Sequence, residues 1–272
     1  MRLKNKVAVV TGGTSGIGRR IVERFAGEGA QVVFSGRRSA LGQEVARSTG
    51  ATFVQADVTQ EPDAERTIKA ALALSGRIDV LVNNAGMGSR GARLENTQLD
   101  VFDQMIALHV RAPLIHIKHI AAVMRAQRSG SIINISSIAA LRVGYGSLTY
   151  STSKAALNHL TRIAALELGE DGVRVNSISV GSVATGIFGK IMGMESAAAE
   201  ATAERVKSVL ATHQPIPRAG IPDDVAAVAL FLASDESSFV NAEDIVVDGG
   251  QIAGRRYSEV KASAQAYRSL LE

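Results

Sequence analysis

The sequence predicts an α/β protein built on a doubly wound parallel sheet. Two observations carry that prediction. Short apolar runs rich in β-branched residues alternate with longer stretches of helical spacing, and a glycine-rich turn joins the first run to the first helical stretch. Size agrees: 272 residues, 46% hydrophobic and 21% charged, suffice for one large α/β unit with a sizeable core.

The first run is VAVV at residues 7–10. It leads into GIGRRIVERFAGEGA, where Ile17, Ile21, Val22 and Phe25 share one stripe and Gly29 can close the helix. That amphipathic stripe is expected to pack on the sheet rather than on a membrane. VVF (32–34), TFVQ (52–55), VLVN (80–83), IINI (132–135), VNSISV (175–180) and IVV (245–247) follow. Several are apolar on both pleat faces, as strands covered by helices on both sides require. Late in the chain, PDDVAAVALFLAS has Pro222 near its start and Val225, Val228, Ala229 and Leu232 on one face. No repeat, linker or low-complexity stretch interrupts the pattern, so a single domain over residues 1–272 is expected.

Two segments break the alternation. Residues 184–217 are rich in small side chains, hold Gly186, Gly189 and Gly193, and read either as a mobile helical flap over a site or as a plain surface excursion. Residues 251–272 read as a short polar helix that packs on the body or on a partner subunit.

Composition excludes several classes. A net charge of +4, from 30 basic and 26 acidic side chains, is too small and too scattered for a nucleic-acid protein. The absence of cysteine excludes disulfides, thiol nucleophiles, iron–sulfur clusters and cysteine–zinc sites. The apolar run at residues 7–10 is too short for a signal core or a membrane span, so a cytoplasmic protein without membrane contact is expected. His116 and His119 lie three apart on a predicted helix with no carboxylate close in sequence. They read as surface or interface histidines, and no metal is expected.

The chemistry begins at TGGTSGIG. Its glycines, Gly12, Gly16 and Gly18, allow positive φ and close approach of a ligand to the backbone. The turn then opens a helix whose first N–H groups lack intrahelical partners. A pyrophosphate satisfies both conditions, so Gly12, Thr14, Ser15, Gly16, Ile17 and Gly18 form the expected dinucleotide cradle. At the end of the second strand, where a carboxylate would hold the ribose hydroxyls of NAD(H), the chain reads FSGRR. Gly36 leaves room for a 2′-phosphate, and Arg37, with Arg38 beside it, offers a planar cation for it. NADP(H) is therefore favoured, with NAD(H) as the alternative.

TYSTSKAAL (149–157) sets Tyr150 and Lys154 one helical turn apart on one face. A phenol titrates near 10, and an ammonium within about 4–6 Å stabilises its anion, which makes a usable general acid/base near neutral pH. Upstream, Ser137 ends a predicted strand, where open α/β sheets build their sites, and its hydroxyl can bind a substrate oxygen. VLVNNAGMG places Asn83, Asn84 and Gly86 at the end of the fourth strand, beside the expected crevice.

Together, TGGTSGIG, ADVT, NNAG, Ser137, YSTSK and RVNSISVGSVAT, in this order from Val7 to Gly250, resemble the short-chain dehydrogenase/reductase family. The resemblance implies a doubly wound Rossmann fold with a seven-stranded parallel sheet in order 3-2-1-4-5-6-7 and helices on both faces. It implies Tyr150 as catalytic acid/base, Lys154 as the group that lowers the phenol's pKa and binds the nicotinamide ribose, and Ser137 as the holder of the substrate oxygen. Asp57 and Val58 match the pair beside the adenine. Asn83, Ala85 and Gly86 match the cofactor cleft, and Gly181, Val183 and Thr185 match the nicotinamide side. Homodimers or homotetramers built partly on the helix bearing Tyr150 are also implied.

Two positions depart from the family pattern. His109, in ALHVRAP, stands where the family's proton relay commonly has asparagine; an imidazole can bridge waters, but it can also charge. Val180 stands where proline usually precedes Gly181, a change expected to loosen that backbone. The function read from all this is reversible alcohol/carbonyl oxidoreduction with a nicotinamide cofactor. Met87, Leu94, Leu141, Val143, Tyr145, Ile187 and Phe188 would line a pocket for a hydrophobic, cyclic or aromatic secondary alcohol or ketone. The alternative is a non-catalytic nucleotide-binding regulatory or scaffold protein on the same fold.

Overall fold

The computed structural model describes residues 1–272. The first half alternates strand and helix: β1 (Val7–Thr11), α1 (Gly16–Gly27), β2 (Gln31–Gly36), α2 (Ser39–Thr49), β3 (Thr52–Gln55), α3 (Glu61–Ser75) and β4 (Val80–Asn83). Then come α4 (Leu99–Ile106), a π-helical turn (Ala107–Arg111), α5 (Ala112–Gln127), β5 (Gly130–Ser137), α6 (Leu148–Gly169) and β6 (Val173–Val180). The chain ends with α7 (Ile187–Ile191), α8 (Ser196–Leu210), α9 (Pro222–Ala233), β7 (Asp244–Val247) and α10 (Tyr257–Leu271).

The sheet has seven strands in the order β3-β2-β1-β4-β5-β6-β7, and every pairing is parallel. Strand pleating divides its side chains between two cores. Ala8 and Val10 of β1 join Ile21, Val22 and Phe25 of α1 and Val225, Ala229 and Leu232 of α9 on one face. Val7 and Val9 join Ile68 of α3, Ile120 and Met124 of α5 and Leu168 of α6 on the other. Each fully buried branched side chain contributes about 1.5–3 kcal/mol by removal from water. The doubly apolar strand pattern thus corresponds to a sheet covered on both faces.

The reversal of strand order at β1 and β4 opens a crevice at the carboxyl ends of these strands. Polar anchors hold the opposite end: the buried Asp79 accepts from Val7 N at 2.8 Å and pairs with Arg77. At the β6–β7 edge, Asp244 accepts from Asn158, Ser177 and Ser179 at 2.7–2.9 Å. The continuous helix Leu99–Gln127 has 29 residues and a mean hydropathy of 1.2 over its most apolar stretch, enough by length and composition to cross a membrane. Its apolar residues Ile117, Ile120 and Met124 lie in the core beside β4 and β5.

Three expectations change. Val180 does not loosen its backbone: it lies in register with Val247, and Gly181 N–H continues the ladder to Val247 O at 3.0 Å. For the tail helix α10 only the body half of the expectation falls, since none of its residues is buried, and docking on a partner subunit stays as an expectation. Phe188 belongs to the flap's own small core with Ala184, Leu210 and Ala219.

Candidate active site

Ser147 caps α6 by accepting from Tyr150 N at 3.3 Å, which fixes Tyr150 in the first turn of that helix. Ser89 ties the loop after β4 to the same cap, contacting Ser147 at 2.5 Å and Thr149 at 2.8 Å. One turn along, Lys154 lies buried with Nζ 5.8 Å from the centre of the Tyr150 ring. Its ammonium donates to Ile135 O at 2.8 Å. Ser137, at the end of β5, accepts from Ala139 N at 3.2 Å and faces the Tyr150 hydroxyl. Space beside the phenol is kept by Gly146, where a Cβ would come within 2.9 Å of the Tyr150 ring.

The electrostatics differ from the sequence expectation. Burial pushes Lys154 down to about 7, so at neutral pH the amine carries only part of its charge. Burial also raises the Tyr150 phenol, and the hydrogen bond with Ser137 offsets part of that rise. Burial thus dominates over the Ser137 hydrogen bond, and the phenol lies above its ordinary value instead of below it.

His109 lies in the π turn and is buried. Its Nε2 accepts from Met87 N at 3.2 Å, which places the ring proton on Nδ1. Nδ1 then donates to Ser153 Oγ at 2.9 Å, and Ser153 donates to Tyr150 O at 2.8 Å. The ring meets Tyr150 edge-on, with centroids 5.5 Å apart. Burial first, and the Lys154 charge second, push its pKa down to about 2. His109 therefore stays neutral across the physiological range, and both its nitrogens are engaged by the protein.

The β1–α1 turn is a tight glycine loop. Gly12 and Gly16 have φ of 69° and 55°. A Cβ on Gly18 would lie 2.3 Å from both Asn84 Nδ2 and Gly12 O. Asn84 itself clamps the turn, donating to Thr11 O at 2.9 Å and Gly12 O at 3.1 Å, while Asn84 N and Ala85 N donate to Thr11 Oγ1. The start of α1 carries no side-chain cap and no acidic residue in its first turn, so its N–H groups suit an anion. Thr14 is buried, Ile17 partly so, and Thr185 reaches over Gly16 from the flap side. These features fit a dinucleotide phosphate on this chain's own geometry.

Other expected positions are placed less simply. Asn83 turns its side chain into the sheet and donates to Asn134 Oδ1 at 2.9 Å, leaving the crevice to its neighbours. Gly86 sits close to His109, whose Nε2 would lie 3.2 Å from a Cβ there. Asp57 accepts from Thr59 N and Oγ1, and Val58 is buried. Val183 is buried and bridges to Gly220, while Gly181 leaves no room for a Cβ beside Asp248. Gly36 does not open a vacancy: a Cβ there would meet the Thr14 methyl at 2.6 Å. Arg37 is exposed, and Arg38 is the arginine that reaches the cradle, donating to Thr14 Oγ1 at 2.9 Å and Ser15 Oγ at 2.6 Å.

His116 and His119 do not converge. His116 is buried and bonds Ala112 O, while His119 meets Glu61 at 2.9 Å and lies near Glu65. The carboxylates absent from their sequence neighbourhood come from α3, and Glu61 is already paired with Lys118. Among the expected pocket residues, Met87, Leu94, Val143 and Tyr145 are exposed, and Leu141 and Ile187 are half-buried. Ile191, which the sequence did not single out, packs against Gly88, and Arg90 donates to Ile191 O at 2.8 Å.

Comparison with known proteins agrees with this geometry. The family described as enoyl-(acyl carrier protein) reductase matches residues 12–251. Momilactone A synthase of Oryza sativa subsp. japonica is 38% identical over 255 residues, 92% of this chain and 90% of that protein. A mitochondrial borneol dehydrogenase of Lavandula x intermedia is 36% identical over 250 residues, 92% of this chain and 91% of that protein. The crystal structure of levodione reductase superposes with a TM-score of 0.81 at 30% identity, covering 93% of this chain and all of the other. With its sheet order, its cradle and its serine, tyrosine and lysine at one crevice, this chain belongs to the short-chain dehydrogenase/reductase family and is an oxidoreductase of CH–OH groups.

Proposed function

We propose that this enzyme interconverts a hydrophobic, cyclic secondary alcohol and its ketone, with NADP(H) preferred over NAD(H). The observation that carries the reaction is the convergence of Ser137, Tyr150 and Lys154 at the crevice mouth. When bound, the nicotinamide cofactor supplies or accepts the hydride and, in its oxidised form, adds a positive charge. Ser137 orients the substrate oxygen by hydrogen bonding. Tyr150 exchanges the proton with that oxygen, as acid in reduction and as base in oxidation. Lys154, held by Ile135 O, stabilises the phenolate and stands ready for a ribose hydroxyl. His109 acts as a positioning residue: through Ser153 it fixes the carbonyl of Tyr150, and through Met87 it fixes the loop after β4.

Three observations support the finer points. No carboxylate from β2 occupies the ribose side, and Arg38 reaches Thr14 and Ser15 there, which favours a 2′-phosphate. The apolar side chains Met87, Leu141, Ile187 and Ile191 near the mouth favour an apolar substrate, and relatives named for borneol oxidation act on such a compound. Exposed Ile163 and Leu166 on α6 favour a contact between copies on the helix that bears Tyr150.

Tyr150→Phe tests the mechanism. Turnover should fall by at least about a thousandfold, in line with the loss of a general acid combined with its orientation, while reduced-cofactor binding, followed by its fluorescence, stays within about threefold. Retention of turnover would remove Tyr150 from the proton path.

A further inference from the structure

The end of β2 lacks a carboxylate in sequence, but the fold brings one there from the flap. Arg38 Nη1 donates to Glu200 at 3.1 Å and to Ser196 Oγ at 2.7 Å, both on α8. Arg38 Nη2 serves Thr14 and Ser15 in the cradle. Lys190 at the end of α7 binds the same Glu200 oxygen at 2.6 Å. A Cβ on Gly186 would meet Glu200 Oε2 at 2.6 Å, so the flap backbone closes tightly over this carboxylate. Both side chains of the pair are about 30% exposed, which leaves them partly desolvated. Burial alone would raise the Glu200 carboxyl; hydrogen bonds from Lys190, Arg38 and Ser15 outweigh it and hold the group ionised.

We infer that Glu200 is a specificity-determining residue for the cofactor: it competes with a 2′-phosphate for the Arg38 guanidinium and so sets how strongly the enzyme discriminates NADP(H) from NAD(H). Each terminal nitrogen of Arg38 already serves two oxygens, so a phosphate gains the guanidinium fork only by displacing some of them. It must also approach a carboxylate of like charge. A cofactor without the 2′-phosphate leaves the Arg38–Glu200 pair intact, with the flap joined to the cradle.

The inference rests on the reading that the adenosine end lies beside Arg38, and the test separates the two. Isothermal titration of 2′,5′-ADP and of 5′-ADP measures the ratio of their dissociation constants without catalysis. Glu200→Gln should shift that ratio toward 2′,5′-ADP by about tenfold, the scale of removing one charge a few ångströms from a partly exposed phosphate. Arg38→Ala should bring the two ligands to within about twofold, as expected once the charge that discriminates between them is gone. If the wild type shows no preference but Glu200→Gln still shifts the ratio, NADP(H) preference fails and the role of Glu200 stands. An unchanged ratio in Glu200→Gln overturns the inference. Should Glu200→Gln unfold, Glu200→Ala is read in the same way, with the thermal midpoint of each variant confirming a folded protein.

Discussion

At the scale of single residues, two buried bases carry the most information. His109 has its folded pKa pushed from 6.5 to about 2, so the unfolded chain binds a proton that the folded chain refuses below pH 6.5. Stability is fully present above 6.5 and is lost as pH falls toward 2. His109→Asn should therefore lose less stability than the wild type between pH 7 and pH 5, by about 2 kcal/mol, in urea unfolding at both values. The same variant should leave the pH profile of kcat unchanged, because a neutral ring with both nitrogens occupied passes no proton. A shifted profile would return His109 to the relay. Lys154 has its folded pKa pushed from 10.5 to about 7, so the unfolded chain binds more protons between those values and stability rises with pH there. Compared with Lys154→Met, the wild type should gain about 2–3 kcal/mol between pH 7 and pH 9, read from urea midpoints. A parallel pH response would mean that the amine is already solvated.

At the scale of elements, the β1–α1 turn separates two demands on glycine. Gly16 has positive φ but room for a Cβ, whose nearest neighbour is Thr185 at 3.5 Å. Gly16→Ala should cost about 1–2 kcal/mol of backbone strain, visible as a modest drop in thermal midpoint. Gly18→Ala places a methyl group 2.3 Å from Asn84 Nδ2 and Gly12 O. It should weaken dinucleotide binding by more than about tenfold, because the clamp on the turn must move. Equal cofactor affinity in the two variants would mean that the cradle is softer than its contacts indicate. The flap shows the limit of local reading. Its small residues signalled an excursion, yet its two helices, its own core around Leu210 and its link to Arg38 come from contacts across 158 and 162 residues of chain.

At the scale of the whole molecule, the sheet order and its two cores follow from the alternation of the strands, while the surfaces left over point outward. The tail helix α10 buries nothing on its own body and exposes Tyr257, Tyr267, Leu270 and Leu271. Removing residues 255–272 should leave the thermal midpoint of a monomer within about 1 °C, since surface changes away from packed groups cost little. Light scattering of the truncated protein should show a smaller oligomer if α10 joins copies; unchanged mass would leave α6 as the sole candidate interface.

The residues by themselves determined the strands, the glycine cradle and the placement of Tyr150 with Lys154 on one helix face. Each depends on short-range spacing: a pleat of two, a helical turn of four, a turn between neighbouring elements. Only the tertiary structure decided that Arg38 rather than Arg37 faces the cradle, that Thr14 fills the space beside Gly36, and that Glu200 provides the carboxylate β2 lacks. It also decided the proton on His109 and the lowered charge of Lys154. Protonation depends on burial and on partners brought in from distant elements, and the order of residues along the chain does not record either.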